Sequence, residues 1–84
     1  MEIRFAKKAW EDYLYWQQQD KKTLKRINEL IKAVERHPFE GIGKPEPLKF
    51  DLTGCWSRRI DDQHRLIYKF ENQTIHLLQC RYHY

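Results

Sequence analysis

Four side chains in this sequence have types suited to moving protons or steadying charge around a phosphate: Glu46, Arg65, His83 and Tyr84. Glu46 sits inside "KPEP", where Pro45 fixes its own φ and Pro47 pushes Glu46 into an extended conformation. The carboxylate therefore hangs from a stiff backbone, which suits a general base; the plainer use is an exposed loop glutamate. His83 and Tyr84 close "CRYHY". Histidine is the side chain best matched to proton transfer near neutral pH, and a terminal α-carboxylate beside it is expected to favour the imidazolium form. A tail His-Tyr without a role is the plainer use here.

Cations surround the glutamate. Lys44 and Lys49 flank it, and Arg58, Arg59 and Arg65 lie to either side of "DDQ". Arg59 and Arg65 share a sheet face only if the strand register puts them opposite each other, a point the sequence leaves open. Alternating arginines on a solvated strand face are the competing reading. Taken together, a carboxylate, several cations and a histidine are the parts for in-line cleavage of RNA by its own 2′-hydroxyl. Glu46 would accept the 2′-OH proton, Arg65 would stabilise the phosphorane charge, and His83 would protonate the departing 5′-oxygen. This route requires no metal or other cofactor. A zinc site from Cys55, Cys80 and His83 lacks a local pair at close ligand spacing, so none is expected.

The elements that must position these residues follow from periodicity. "EIRF" reads as a first strand. Ala6, Ala9, Trp10, Tyr13 and Leu14 then recur at three and four residues, predicting a helix whose wet side carries Lys7, Lys8, Glu11 and Asp12. Asp20 is placed to N-cap a second helix with Leu24, Ile27, Ile31 and Val34 as its stripe, and Pro38 ends it. "FEGIGKPEPLKF" is the main connector. Four strands are expected beyond it: one in which Leu48, Phe50 and Leu52 alternate, then "CWSRRI", "HRLIYKF" and "TIHLLQCRY". "DDQ" is a short polar hairpin connection. The order βααββββ predicts an α+β fold, a mainly antiparallel sheet with two helices on one face and the other face left for solvent or ligand.

Eighty-four residues predict one domain, 1–84, which at this size buries about 60 to 65% of its unfolded surface. One residue in three is charged, no apolar run approaches the ~18 residues of a membrane span, and "MEIRFAKKAW" has no apolar segment of a secretory signal. A cytoplasmic protein without membrane contact is expected, with Cys55 and Cys80 as ordinary buried thiols. A net charge of +4 and a pI near 9.2 suit an anionic partner such as RNA, but equally a solvated cationic surface.

At "GKPEPLK", "GCWSRRIDDQHRLIY" and "CRYHY", and along "EDYLYWQ" and "INELIK", the chain resembles the YoeB/Txe family of bacterial toxins within the RelE/ParE superfamily. The resemblance runs end to end. It implies a small α+β toxin able to form homodimers, a ribosome-dependent mRNA interferase that cuts the A-site codon on the 70S ribosome. It also implies inhibition by a Phd/YefM-type antitoxin, with operator DNA reached only through the antitoxin complex. By motif, Glu46 takes the base position, Arg65 the phosphate-stabilising position, and His83 with Tyr84 the acid and its companion. Lys49 and Arg59 match positions that hold RNA backbone, and Lys44, as part of the same basic surface, is expected to contact phosphate too. The chain departs from relatives at Phe50, Cys55 and Gln63, where a histidine, a phenylalanine and an acidic residue are common; Gln63 removes a carboxylate that could orient the arginines. The alternative function is a non-enzymatic ParE-like toxin that binds and inhibits DNA gyrase, which would need neither a base nor an acid.

Overall fold

The change of period after Phe5 is a real boundary. A computed structural model describes residues 1–83 and begins with strand β1 (Glu2–Phe5), followed by helices α1 (Lys7–Gln19) and α2 (Lys21–Arg36). Asp20 separates the helices as expected: its carboxylate accepts from the Lys22 and Thr23 amides at 3.1 and 3.2 Å and from the Thr23 hydroxyl at 2.8 Å. The Thr23 hydroxyl and amide hold this carboxyl below its usual pKa. After the connector come β2 (Glu46–Pro47), β3 (Trp56–Arg59), β4 (Arg65–Glu71) and β5 (Thr74–Gln79). The sheet order is β1-β5-β4-β3-β2; β1 runs parallel to β5 and every other pair is antiparallel. This is the expected α+β arrangement. No helix among the described residues is long and apolar enough to cross a membrane.

The helices cover one face. Ala9 and Trp16 of α1 and Ile27, Leu30 and Val34 of α2 pack with Leu66, Tyr68, Ile75 and Leu77 of the sheet. Burial of each large side chain there contributes roughly 1.5 to 3 kcal/mol. On the opposite face lies a smaller cluster of Leu48, Cys55 and Ile67, against which Leu52 and Leu78 pack. Both cysteines are free and buried, as expected.

Three expectations need correction. In α1 the inward row is Ala9, Asp12 and Trp16, while Trp10 and Leu14 are exposed and Asp12 is 3% exposed rather than wet. The reason is a backbone demand: the Asp12 carboxylate accepts the Cys80 amide at 3.0 Å and pairs with Lys8. Next, the alternation of Leu48, Phe50 and Leu52 is not a strand. Pairing is confined to Glu46–Pro47, and Phe50–Leu52 forms a 3-10 turn in which Phe50 has φ +56°. That conformation breaks a ladder whatever the side-chain pattern. Finally, the last run stops pairing at Gln79 instead of extending to Tyr82.

Two local features aim the sheet. Asn72 and Gln73, both at positive φ, link β4 to β5 in the two-residue geometry that matches strand twist. Further along, the β4–β5 register shifts between Ile67 and Tyr68, which pair with Gln79 and Leu77. Such a shift flips the side chains beyond it, and Cys80 is thereby returned to the helix-covered core.

Candidate active site

Register answers the question about the arginines. Arg59 pairs directly with Arg65, so both project from the same face, the one the helices leave uncovered. Ser57, two residues back on β3, pairs with Glu46, which places the glutamate on this face as well. With strands about 4.8 Å apart, Glu46 on β2 and Arg65 on β4 lie two strands, or about 10 Å, apart across the sheet, with Arg59 on the strand between them. Lys44 enters beside Arg59, whose amide donates to the Gly43 carbonyl at 2.7 Å. Lys49 shares a shallow cleft with Glu46, Phe50 and Asp51. Glu46, Lys44, Lys49, Arg59 and His83 are exposed and Arg65 is half-buried.

The segment carrying His83 is held beside Arg65 by a set of anchors, but His83 itself lines a cleft with Tyr15, Trp16, Asp62 and His64, separate from the one that Glu46 and Lys49 line. Arg65 donates its amide to the Tyr82 carbonyl at 3.0 Å, while the Tyr82 amide donates to Nδ1 of His64 at 2.7 Å. Nδ1 must therefore be unprotonated, so neutral His64 carries its proton on Nε2. The Trp16 indole N–H donates to the Cys80 carbonyl at 2.8 Å, and Asp12 takes the Cys80 amide. Gln79 Nε2 donates to the carbonyls of Arg81 and His83 at 3.4 and 3.3 Å, and the Arg81 guanidinium lies 3.5 Å over the Tyr15 ring. His83 Nε2 is 3.4 Å from the Asp62 carbonyl. Tyr84, the remaining expected site residue, lies outside the described residues.

Arg65 is oriented by backbone. Its Nη1 donates to the Asp61 carbonyl at 2.6 Å and to the His64 carbonyl at 3.0 Å. The Asp61 carboxylate folds that turn by accepting the Gln63 and His64 amides at 2.8 and 2.7 Å. A carboxylate at position 63 is thus not what orients this arginine.

Arg58, grouped with the other cations from sequence, faces the opposite way and is fully buried. Its partners are neutral: Nε donates to the Tyr68 hydroxyl at 3.1 Å, Nη1 to the Ile42 carbonyl at 3.1 Å, and Nη2 to the His37 and Glu40 carbonyls at 2.5 and 2.9 Å. Tyr68 in turn donates to the Pro38 carbonyl at 2.7 Å. The connector leading to Lys44 and Glu46 is thereby tied to the sheet from below. Gly43 permits this closeness: at φ +84°, a Cβ there would stand 2.7 Å from Leu30 Cδ2 and 3.1 Å from Arg58 Cβ.

Sequence reasoning missed the anchors Asp12, Trp16, His64 and Gln79, and the reversed role of Arg58. Strand alternation was the signal for Arg58, since it and Arg59 must point to opposite faces; the others act over 15 or more residues of chain, apart from Gln79, and left no local trace. Among the described residues, no group of three or more His, Cys, Asp or Glu side chains is placed to hold a metal ion.

Residues 5–84 match the family described as the YoeB-like toxin of bacterial type II toxin–antitoxin systems. Toxin YoeB of Synechocystis is 57% identical over 84 residues, covering 100% of this chain and 98% of that protein. Two solved structures from Staphylococcus aureus are each 52% identical and cover 100% of this chain and 98% of theirs. They are the heterotetrameric YoeB–YefM toxin–antitoxin complex, with a TM-score of 0.92, and the YoeB dimer, with 0.93. With nearly every residue matched and the fold shared throughout, the chain belongs to the YoeB-like toxin family of bacterial type II toxin–antitoxin systems.

Proposed function

We propose that this toxin is an endoribonuclease that cleaves mRNA in the ribosomal A site by metal-independent attack of the 2′-hydroxyl. The observation that supports this most is the register that sets Glu46, Arg59 and Arg65 on one uncovered face, with the His83 segment bonded to Arg65 at its end. Glu46 takes the 2′-OH proton from the β2 side of the face. Arg65 meets the charge that develops on the non-bridging oxygens, where a cation is worth most in the transition state. His83 returns a proton to the 5′-oxygen as the P–O bond breaks, giving a 2′,3′-cyclic phosphate and a free 5′-hydroxyl. Tyr84 completes the acid end, and Lys44, Lys49 and Arg59 hold flanking phosphates.

The partners on this reading are the 70S ribosome with its mRNA, a second copy of the chain, and an antitoxin of the YefM kind through which operator DNA is reached. Dimer and antitoxin complex are both features of the Staphylococcus aureus relative. Glu46→Gln tests the assignment, because it preserves shape and removes the base. Single-turnover cleavage on translating ribosomes, read by primer extension, should fall by about 10² to 10⁴ while ribosome binding holds. Cleavage at the wild-type rate would make Glu46 a loop residue, and gyrase inhibition without any RNA cleavage would point to the ParE-like alternative.

A further inference from the structure

Phe50 bears two costs at one position. It is 91% exposed, more than any other large apolar side chain described, and its backbone is held at φ +56°, a region that bulky residues rarely adopt. Glycine would avoid both. The ring belongs to neither core cluster, so packing does not explain it. The turn beneath is fixed: the Thr53 amide and hydroxyl both donate to the Phe50 carbonyl, at 3.0 and 2.7 Å. A flat apolar ring thus stands out from a hydrogen-bonded turn at the cleft that Glu46 and Lys49 also line.

An exposed aromatic face beside cations is the arrangement that binds single-stranded nucleic acid: the base stacks on the ring while the backbone follows the positive charge. We propose that Phe50 is a substrate-binding residue on which the nucleobase next to the scissile phosphate stacks, so that its ribose 2′-hydroxyl is presented to Glu46. This rests on the ribonuclease reading. Asp51, in the same cleft, disfavours a phosphate there and pushes the RNA backbone toward Lys49 and the arginines. Stacking tolerates any base, so Phe50 fixes position more than sequence.

The test compares Phe50→Ala, Phe50→Gly and Phe50→Trp with wild type on ribosomes programmed with a defined mRNA. For the alanine and glycine variants, kcat/KM should fall roughly 5- to 150-fold, with most of the change in KM. Tryptophan, which retains a stacking face, should restore most of it. The glycine variant carries the sharper result, because glycine relieves the left-handed backbone: it should melt no lower than wild type while cleaving less well. Undiminished kcat/KM in both the alanine and glycine variants overturns the proposal, as does unchanged cleavage combined with lost neutralisation by the antitoxin, which would make Phe50 a protein contact. Wild-type cleavage is the control that separates the two levels. If wild type does not cut, the ribonuclease reading fails; if wild type cuts and the variants match it, only the role of Phe50 fails.

Discussion

Replacing Arg58 by methionine should destabilise this protein far more than replacing any arginine on the uncovered face. The side chain is fully buried and serves four neutral partners, the Tyr68 hydroxyl and the carbonyls of Ile42, His37 and Glu40. Without it each of these groups loses a charged donor. An orphaned group costs about 1 to 3 kcal/mol, and because residues 37, 40 and 42 lie near solvent the lower end applies. Four groups at about 1 kcal/mol, less a small gain from no longer desolvating a guanidinium, give about 3 to 4 kcal/mol. For a domain of this size that is a fall in Tm of about 12 to 30 °C. Thermal melts and urea titrations of both proteins measure it, with an unchanged m-value as the sign that the unfolded state is not the cause. Buried charged groups can sometimes be exchanged for apolar ones at no loss. A methionine variant at least as stable as wild type would therefore refute the reasoning and make Arg58 a tolerated group, not an anchor of the connector.

The remaining predictions concern the other anchors. Burial first, and then the Asp12 carboxylate, push the Cys80 thiol up to about 12, against the smaller opposing effect of Lys8. Folding thus favours the protonated thiol, so its contribution is complete below the unfolded pKa near 8.5 and is lost as pH rises from there toward 12. Burial raises Tyr68 in the same direction, so urea titrations should show stability declining from about pH 9 upward; a flat profile to pH 11 would contradict the assignment. His64→Ala removes the acceptor of the Tyr82 amide and the ring lying 4.9 Å from Trp16, so single-turnover cleavage should fall at least about 10-fold at temperatures where the variant remains folded. Unchanged cleavage in a stable variant would show that the His83 segment is held without it.

Periodicity made the helices and most strands legible because burial repeats along them. Ile27, Ile31 and Val34 are core residues because three and four positions separate them, and Asp20 caps α2 because only local chain is involved. The same logic failed at Asp12, whose polarity placed it in solvent although a backbone amide 68 residues away requires it inside. It failed again at Phe50, where alternation predicted a strand but a left-handed residue turned the chain. The residue types of the candidate site were visible in the sequence; their convergence was not. Whether Arg59 faced Arg65 depended on pairing across the turn from Ile60 to His64, which the Asp61 carboxylate shapes through two backbone amides.

Backbone conformation marks the same site independently of residue chemistry. Among the described residues, five non-glycine residues have positive φ, and two of them, Asn72 and Gln73, are what a two-residue hairpin turn demands. The other three are Lys44, Phe50 and Tyr82: Lys44 follows the Gly43 carbonyl that accepts the Arg59 amide, Phe50 lines a cleft with Glu46, and the Tyr82 carbonyl accepts the Arg65 amide. Left-handed backbone at such residues survives only where the surroundings over-determine it. Here the surroundings are buried and distant in sequence: Arg58 and Tyr68 fasten residues 37–42 before Lys44, while Asp12, Trp16 and His64 fasten residues 80–82 around Tyr82. The sheet supplies a row of cations, and the covered face supplies the anchors that hold two irregular segments, one beside Arg59 and one beside Arg65. Exposed candidate groups are thus positioned from the opposite side of the sheet, so on the ribonuclease reading the RNA meets the uncovered face while the side chains that hold it in shape stay buried behind it.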